Sequence, residues 1–238
     1  VRSRGLGDVY KRQHKGIIAN PNCSTIIMVM ALKPIYDLAK IKRVIVSTYQ
    51  AVSGAGKEGI DELDAQVREH SEGREMTANI LPSASAEKHY PIAFNLIPQI
   101  DVFCDNLYTK EEMKMVNETK KIMEDYEMRI TATTIRVPVY RSHSESVNIE
   151  LEKEVDLGAM REALAKFPGV TVQDDPSKQE YPMPLYTSEK DDVYVGRLRR
   201  DESCEKSYNM WVVGDQIRKG AALNTLQIAE TMIKNGWI

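Results

Sequence analysis

The segment from Cys23 to Tyr36, CSTIIMVMALKPIY, constrains the fold most. Its central run, Ile26 to Leu32, has no polar residue. A helix that is apolar nearly all round offers no face to water, so it must be buried on several sides. The run is far shorter than the roughly 20 residues needed to cross a bilayer, so a protein core is its expected surrounding. Ser24 or Thr25 is placed to cap the helix, and Pro34 should end or kink it. The preceding GIIANPN reads as a short strand and a Pro-Asn turn, with Cys23 at the turn.

The rest of the chain supplies layers to cover that helix. Residues 43–50, RVIVSTYQ, read as a buried strand, followed by the glycine turn SGAGKEG and a polar helix from Ile60 to His70. Residues 76–105 are rich in Pro, Ser and Asn and read as long loops with at most a short strand near Phe94. Thr109 can cap a helix to Glu124, with Met113, Val116 and Met123 sharing much of a face. Arg129 to Val139 is a strand candidate. VNIELE at 147–152 alternates as a half-exposed antiparallel strand does. A helix from Leu157 to Lys166, a turn at Pro168-Gly169 and an acidic loop to Asp192 lead to VYVGRLRR and SYNMWVV, an expected hairpin. An amphipathic helix from Ile217 to Lys234 closes the chain. The pattern predicts an α+β fold: a mixed, mostly antiparallel sheet with helices on one face. Three parts are expected: a disordered or non-native leader over 1–15, a main domain over 16–214, and a closing helix over 215–238.

Charge narrows the function classes. The net charge of -3 comes from interleaved acids and bases without a long block of one sign, which gives no sign of nucleic-acid or membrane binding. Cys23, Cys104 and Cys204 are an odd number at wide spacing, with no CxxC pair. Free thiols in a cytoplasmic protein, and no zinc, are the expectation.

Several residues invite chemistry on their own terms. A thiol at a helix start meets the positive end of the macrodipole, which favours thiolate, so Cys23 is a candidate nucleophile; the alternative is a small core residue. His143, seven positions after Arg136, is a candidate proton carrier or a turn histidine bonded to backbone. His14 lies in the leader, and His70 and His89 are expected to be solvated. Arg136 sits inside a β-branched strand, where a cation requires a buried carboxylate or an anionic ligand. Glu111 and Lys114 stand three apart on one helix, an ordinary surface ion pair unless a ligand claims them.

NPNCST at 20–25 followed by TYQAVSGAG at 48–56 resembles the aspartate-semialdehyde dehydrogenases. The resemblance continues through EEMKM and NETKKI between 111 and 122, RVPVYRSHSESV at 136–147 and RKGAALNTLQIAE at 218–230. SGAG alone is only a glycine turn; five segments in one order are specific. The resemblance implies a glyceraldehyde-phosphate-dehydrogenase-like C-terminal domain and a thioester on Cys23, with His143 as acid/base. It also implies that Gln50 orients the substrate carbonyl, that Arg136 binds the α-carboxylate, and that Glu111 and Lys114 meet the ammonium and the phosphate. Ser53, Gly54 and Gln216 would lie beside NADP, and the partners would be substrate, phosphate and further copies in a homodimer or homotetramer.

In that family a dinucleotide-binding domain of roughly one hundred residues, with a glycine loop after its first strand, precedes the cysteine. GLGD at 5–8 follows no apolar strand and fails that context. The NADP site is therefore expected to be incomplete here, and the chain inactive alone. Two alternatives stay open: a related acyl-phosphate enzyme, such as an N-acetylglutamyl-phosphate reductase or a glyceraldehyde-phosphate dehydrogenase relative, and a non-catalytic dimerisation domain.

Overall fold

The structure, a computed structural model, describes residues 17–84 and 86–237. The leader over 1–15 and His14 lie outside the described residues.

The apolar helix forms as α1, Cys23–Leu38, with Asn22 as its cap: the Asn22 side chain accepts from the Thr25 amide at 3.1 Å. The cap is thus one residue before the thiol rather than Ser24 or Thr25, because the short Asn amide reaches the free amide two residues into the first turn. Pro34 does not end α1. Burial of Ile26 through Leu32 and of Ile35 holds the helix together past the hydrogen bond that Pro34 forfeits. The expected strand before Pro21 does not form among the described residues; residues 17–22 are irregular.

Six strands form one sheet: β1 Ile41–Gln50, β2 Arg129–Arg136, β3 His143–Leu151, β4 Val170–Val172, β5 Val193–Arg200 and β6 Ser207–Gly214. Their order is β2-β1-β3-β6-β5-β4. The three central pairings are antiparallel, whereas β1–β2 and β4–β5, at the two edges, are parallel. The sheet is mixed and mostly antiparallel as read from the pattern. However, β2 does not extend to Val139, and β3 begins at His143 rather than Val147. Period-2 alternation marks a strand's apolar middle and misses ends that carry buried polar residues, which is where His143 and Glu145 sit.

The inner face of the sheet, with Val44, Val46, Val147, Ile149, Met210 and Val212, packs on α1. Flanking α1 are α3, Lys110–Met123, and α4, Leu157–Lys166, which add Met115, Met123, Met160 and Leu164 to the same core. A full capping box starts α3: Thr109 accepts from Glu112 N, and the Glu112 carboxylate accepts from Thr109 N. Its buried face runs through Met115, Thr119 and Met123, not Met113 and Val116, because Glu112 turns inward to accept from Thr134 N of β2. The outer sheet face keeps Tyr49 and Trp211 in ring contact, 5.4 Å between centroids, and carries no helix of the main core.

A second small core of Val52, Leu63, Leu81, Ile92, Ala93 and Ile97 joins α2, Lys57–Ser71, to the long loop. The loop is tied by Glu62, which accepts from the amides of Asn79, Ile80 and Leu81, and by Gln66, which accepts from Ile92 N and Ala93 N. No strand forms at Phe94, which has a φ of 59° and is exposed; Ile97 instead bridges Arg136. The acidic loop is not wholly irregular: it holds β4 and the short α5, Pro184–Thr187. The closing helix begins as a wide π turn, Arg218–Ala222, and becomes regular as α6, Leu223–Lys234.

Candidate active site

The start of α1, the end of β1, the start of α3, the end of β2 and the start of β3 meet at one place. Cys23, the first residue of α1, puts its Sγ 3.5 Å from His143 Nε2. On the other side of the ring, Ala51 N donates to His143 Nδ1 at 3.0 Å. A backbone amide is always a donor, so Nδ1 must be the bare nitrogen, and the neutral ring carries its proton on Nε2, facing the sulfur. His143 is fully buried, and burial followed by the Arg136 charge holds its pKa well below the usual histidine value. Of the two readings left open for this residue, the backbone bond is present at one ring nitrogen, while the other nitrogen faces the thiol.

Gln50 ends β1 with its amide orientation defined: its Oε1 accepts from Thr48 Oγ1 at 2.9 Å and its Nε2 donates to Glu111 Oε1 at 3.2 Å. That Nε2 lies 3.5 Å from His143 Nε2. Two N–H groups thus lie side by side, the His143 one also facing the sulfur, an arrangement suited to an oxygen that gains negative charge.

Glu111 is a buried hub. Its Oε1 also accepts from Asn22 Nδ2 at 2.7 Å, and its Oε2 from Lys114 Nζ at 3.3 Å. One carboxylate thus positions the cap of the nucleophile's helix and the amide of Gln50 together. Lys114, partly exposed, also reaches Asp101 Oδ2 at 3.3 Å. Burial would lower its pKa, but Glu111 and Asp101 outweigh that and raise it. Asn22 is gripped a second time through its backbone, whose N–H donates to Glu118 Oε2 at 2.7 Å. Asn22 and Glu118 were not singled out from sequence, although an Asn directly before a helical Cys is a capping signal.

Arg136 is buried, and its Nη1 donates to the Ala51 carbonyl at 2.7 Å. Its Nε meets no acceptor, and no carboxylate pairs with it among the described residues. Burial lowers its pKa, opposed by Glu111 and Cys23. Of the two partners expected for this cation, the buried carboxylate is not in contact among the described residues.

The thiol departs from the expectation of a ready thiolate. The Ser24 amide and Arg136 do favour the anion, but burial first and Glu111 second push Cys23 up to about 12. The helix-start effect is real but smaller than the cost of desolvating the sulfur. All three cysteines are free.

The remaining predicted residues border this cluster. A Cβ on Gly54 would lie 2.7 Å from Arg136 Nη1 and 3.3 Å from His143 Cε1, so only glycine lets this turn press against the reacting groups. Gln216 is buried with both ends of its amide engaged: Oε1 accepts from Ser142 N, and Nε2 donates to Ser53 Oγ. It pins the Ser53 turn to the start of β3. Gly220 lets the π turn approach the thiol, for its Cβ would lie 3.0 Å from Cys23 Cβ. His70 is exposed against Phe94, and His89, partly buried, bonds to the Ser83 carbonyl; neither joins the site.

Fold and site together define a thiol-centred α+β domain: one cysteine at a capped helix start, a tautomer-fixed histidine, and a buried arginine that makes no ion pair among the described residues. The family model for the semialdehyde dehydrogenase dimerisation domain matches residues 32–219. The chain belongs to the semialdehyde dehydrogenase family. It is 54% identical over 231 residues to the aspartate-semialdehyde dehydrogenase of Aquifex aeolicus, an alignment covering 97% of this chain and 66% of that protein. It is 52% identical to that of Bacillus subtilis, covering 93% of this chain and 64% of that protein. Among solved structures it is similar to aspartate semialdehyde dehydrogenase II from Vibrio cholerae, at a TM-score of 0.86 and 46% identity, over 92% of this chain and 62% of that one. A second structure of that Vibrio protein is of its complex with ASA. The chain spans just under two thirds of the length of the relatives it matches.

Proposed function

We propose that this chain is the catalytic and dimer-forming part of an aspartate-semialdehyde dehydrogenase. Its reaction would be the reversible, NADP-dependent conversion of L-aspartyl 4-phosphate to L-aspartate 4-semialdehyde and phosphate, a step toward lysine, threonine and methionine. The observation that carries this reading is the Cys23–His143 contact beside an arginine whose guanidinium still needs an anion.

Arg136 binds the substrate α-carboxylate through its uncommitted N–H groups and so fixes the acyl carbon relative to the sulfur. Lys114, at the open edge, receives the phosphate, and the ammonium shares the Glu111 carboxylate with Asn22 and Gln50. Attack draws on the small thiolate fraction, stabilised as it forms by the Ser24 amide and by Nε2–H of His143. The sulfur adds to the acyl carbon, phosphate departs with its bonding pair, and a thioester on Cys23 results. NADPH, when bound, supplies the hydride that reduces this thioester. The substrate oxygen that becomes anionic lies between the N–H groups of His143 and Gln50, and as the carbon–sulfur bond breaks the sulfur recovers the hydrogen bond from His143.

The residues present fit the nicotinamide end of the dinucleotide: the bare Cα of Gly54 lets backbone lie against His143, where a ring could stack on the turn. Gln216 contributes by holding the Ser53 turn, with one N–H and one lone pair of its amide left beside it for the cofactor. Pairing of two copies would use the outer sheet face with Tyr49 and Trp211, in keeping with the dimerisation domain that the family model describes.

One observation favours a second reading, an inert dimerisation domain: the resting thiol lies at about 12. The two separate in a fusion of the chain to the nucleotide-binding domain of the Aquifex relative. Phosphate-dependent reduction of NADP by L-aspartate semialdehyde, abolished by Cys23→Ser, supports the enzyme. A folded fusion without that activity supports the inert domain.

A further inference from the structure

Glu145 is a carboxyl group that none of the steps above uses. It sits on β3 two residues after His143 and on the same inner face, in register with Thr48 of β1 and Val212 of β6. The first turns of α1 lie over this row: Gly214, the partner of His143, would put a Cβ 3.0 Å from Ile27 Cγ1. Glu145 is fully buried, and neither carboxyl oxygen meets a donor or acceptor among the described residues. Thr48, directly across the strand pair, donates to Gln50 instead. Arg136, the cation of the site, has its electrostatic partners in Glu111 and Cys23. An ionised carboxylate in such a place would be an unpaired buried charge, whereas a protonated one leaves only unmet hydrogen bonds.

We propose that Glu145 is a positioning residue for the nucleophile, a carboxylic acid that keeps its proton so that no anion beyond Glu111 opposes the charge Cys23 takes up in the buried wedge between α1 and β3. The charged and titratable groups facing this wedge are Cys23 from α1, Glu111 from α3, Arg136 from β2 and His143 from β3 itself. Two of these are acids already, and a second anion beside the sulfur opposes the thiolate: a charge on Glu145 is among the influences that push Cys23 up, after burial and Glu111. Burial alone drives Glu145 well above the ordinary carboxylate range. Ionisation of either acid therefore works against ionisation of the other. The proposal rests on Cys23 being the nucleophile.

The test uses the chain with Cys104→Ser and Cys204→Ser, so that Cys23 is the remaining thiol. Infrared spectra near neutral pH should show the C=O stretch of one buried protonated carboxylic acid, absent from Glu145→Gln. Iodoacetamide labelling of Cys23, followed from neutral to alkaline pH, should become faster in Glu145→Gln than in the parent once the pH is high enough to ionise Glu145. The gain should reach up to about tenfold, one pH unit in the thiol's ionisation. A parent without the acid band, or a folded Glu145→Gln chain that labels Cys23 no faster at any pH, overturns the proposal. Should Glu145→Gln not fold, carbon-13 glutamate in the parent reads the same band and decides the question. Neither readout needs substrate or dinucleotide, so a failure of the proposed activity is told apart from a failure of this inference.

Discussion

Glu145→Gln should make the chain more stable as the pH rises. In the unfolded chain Glu145 loses its proton near the ordinary value of 4.5, whereas in the folded chain burial keeps it protonated well above that. A folded-state pKa raised in this way contributes stability that is fully present below 4.5 and is lost as the pH rises toward the folded value. While the folded group keeps its proton and the unfolded one has lost it, the loss runs at about 1.4 kcal/mol per pH unit. Glutamine has the same shape and no proton to lose, so it escapes this cost. Against that, its amide brings N–H groups with no acceptor, a loss of roughly 1 to 2 kcal/mol at every pH. The variant should therefore be less stable than the parent near pH 4.5 and gain on it steadily as the pH rises above that. Urea unfolding of both chains across that range gives the difference directly, and His143, common to both, cancels. Parallel stability curves, or a variant that loses ground as the pH rises, would refute the reasoning.

Replacing His143 with Gln should flatten the acid side of the stability profile. A histidine held neutral by burial contributes stability present above about 6.5 and lost as the pH falls toward its folded value, so the variant's urea midpoint should change less than the parent's between pH 6.5 and 5. Gly54→Ala forces its methyl onto Arg136 Nη1, whose bond to Ala51 O is at risk; a loss of about 2 to 4 kcal/mol on urea unfolding is expected, and unchanged stability would mean the turn can retreat. Asn22→Ala removes the α1 cap and one of the grips on Glu111, and should cost about 1 to 2 kcal/mol in thermal unfolding while altering Cys23 labelling. Asn22→Asp, which keeps the cap acceptor but sets a second carboxylate against Glu111, should restore helix stability less than Asn22→Ser.

Most elements were legible because their periodicity is strong: α4 runs over the expected residues, the β5–β6 hairpin forms, and Thr109 caps α3. The errors cluster where polar residues are buried. β3 starts four residues before its alternating run because His143, Ser144 and Glu145 are buried polar groups that a hydrophobic pattern skips. The helical face of α3 was misplaced because Glu111 and Glu112, which a pattern assigns to solvent, turn inward to Gln50, Asn22 and Thr134. Cys23, His143, Gln50, Arg136 and Glu111, drawn from four separate sequence segments, meet at one place, but only a recognised motif order linked them. The acidity of Cys23 was not legible at all, since it depends on how deeply the fold buries the sulfur and on a carboxylate 88 positions away in sequence.

The central claim is that Cys23 is the nucleophile of an acyl-transfer site, and covalent trapping tests it most directly. The chain, without dinucleotide, is incubated with L-aspartyl 4-phosphate, quenched in acid and mapped by peptide mass spectrometry. The account predicts one aspartyl group on the Cys23 peptide, removable by hydroxylamine and lost in Arg136→Met, with Cys104 and Cys204 unmodified. A folded chain that acquires the label on Cys104 or Cys204 as readily as on Cys23, or no label at all, would contradict it.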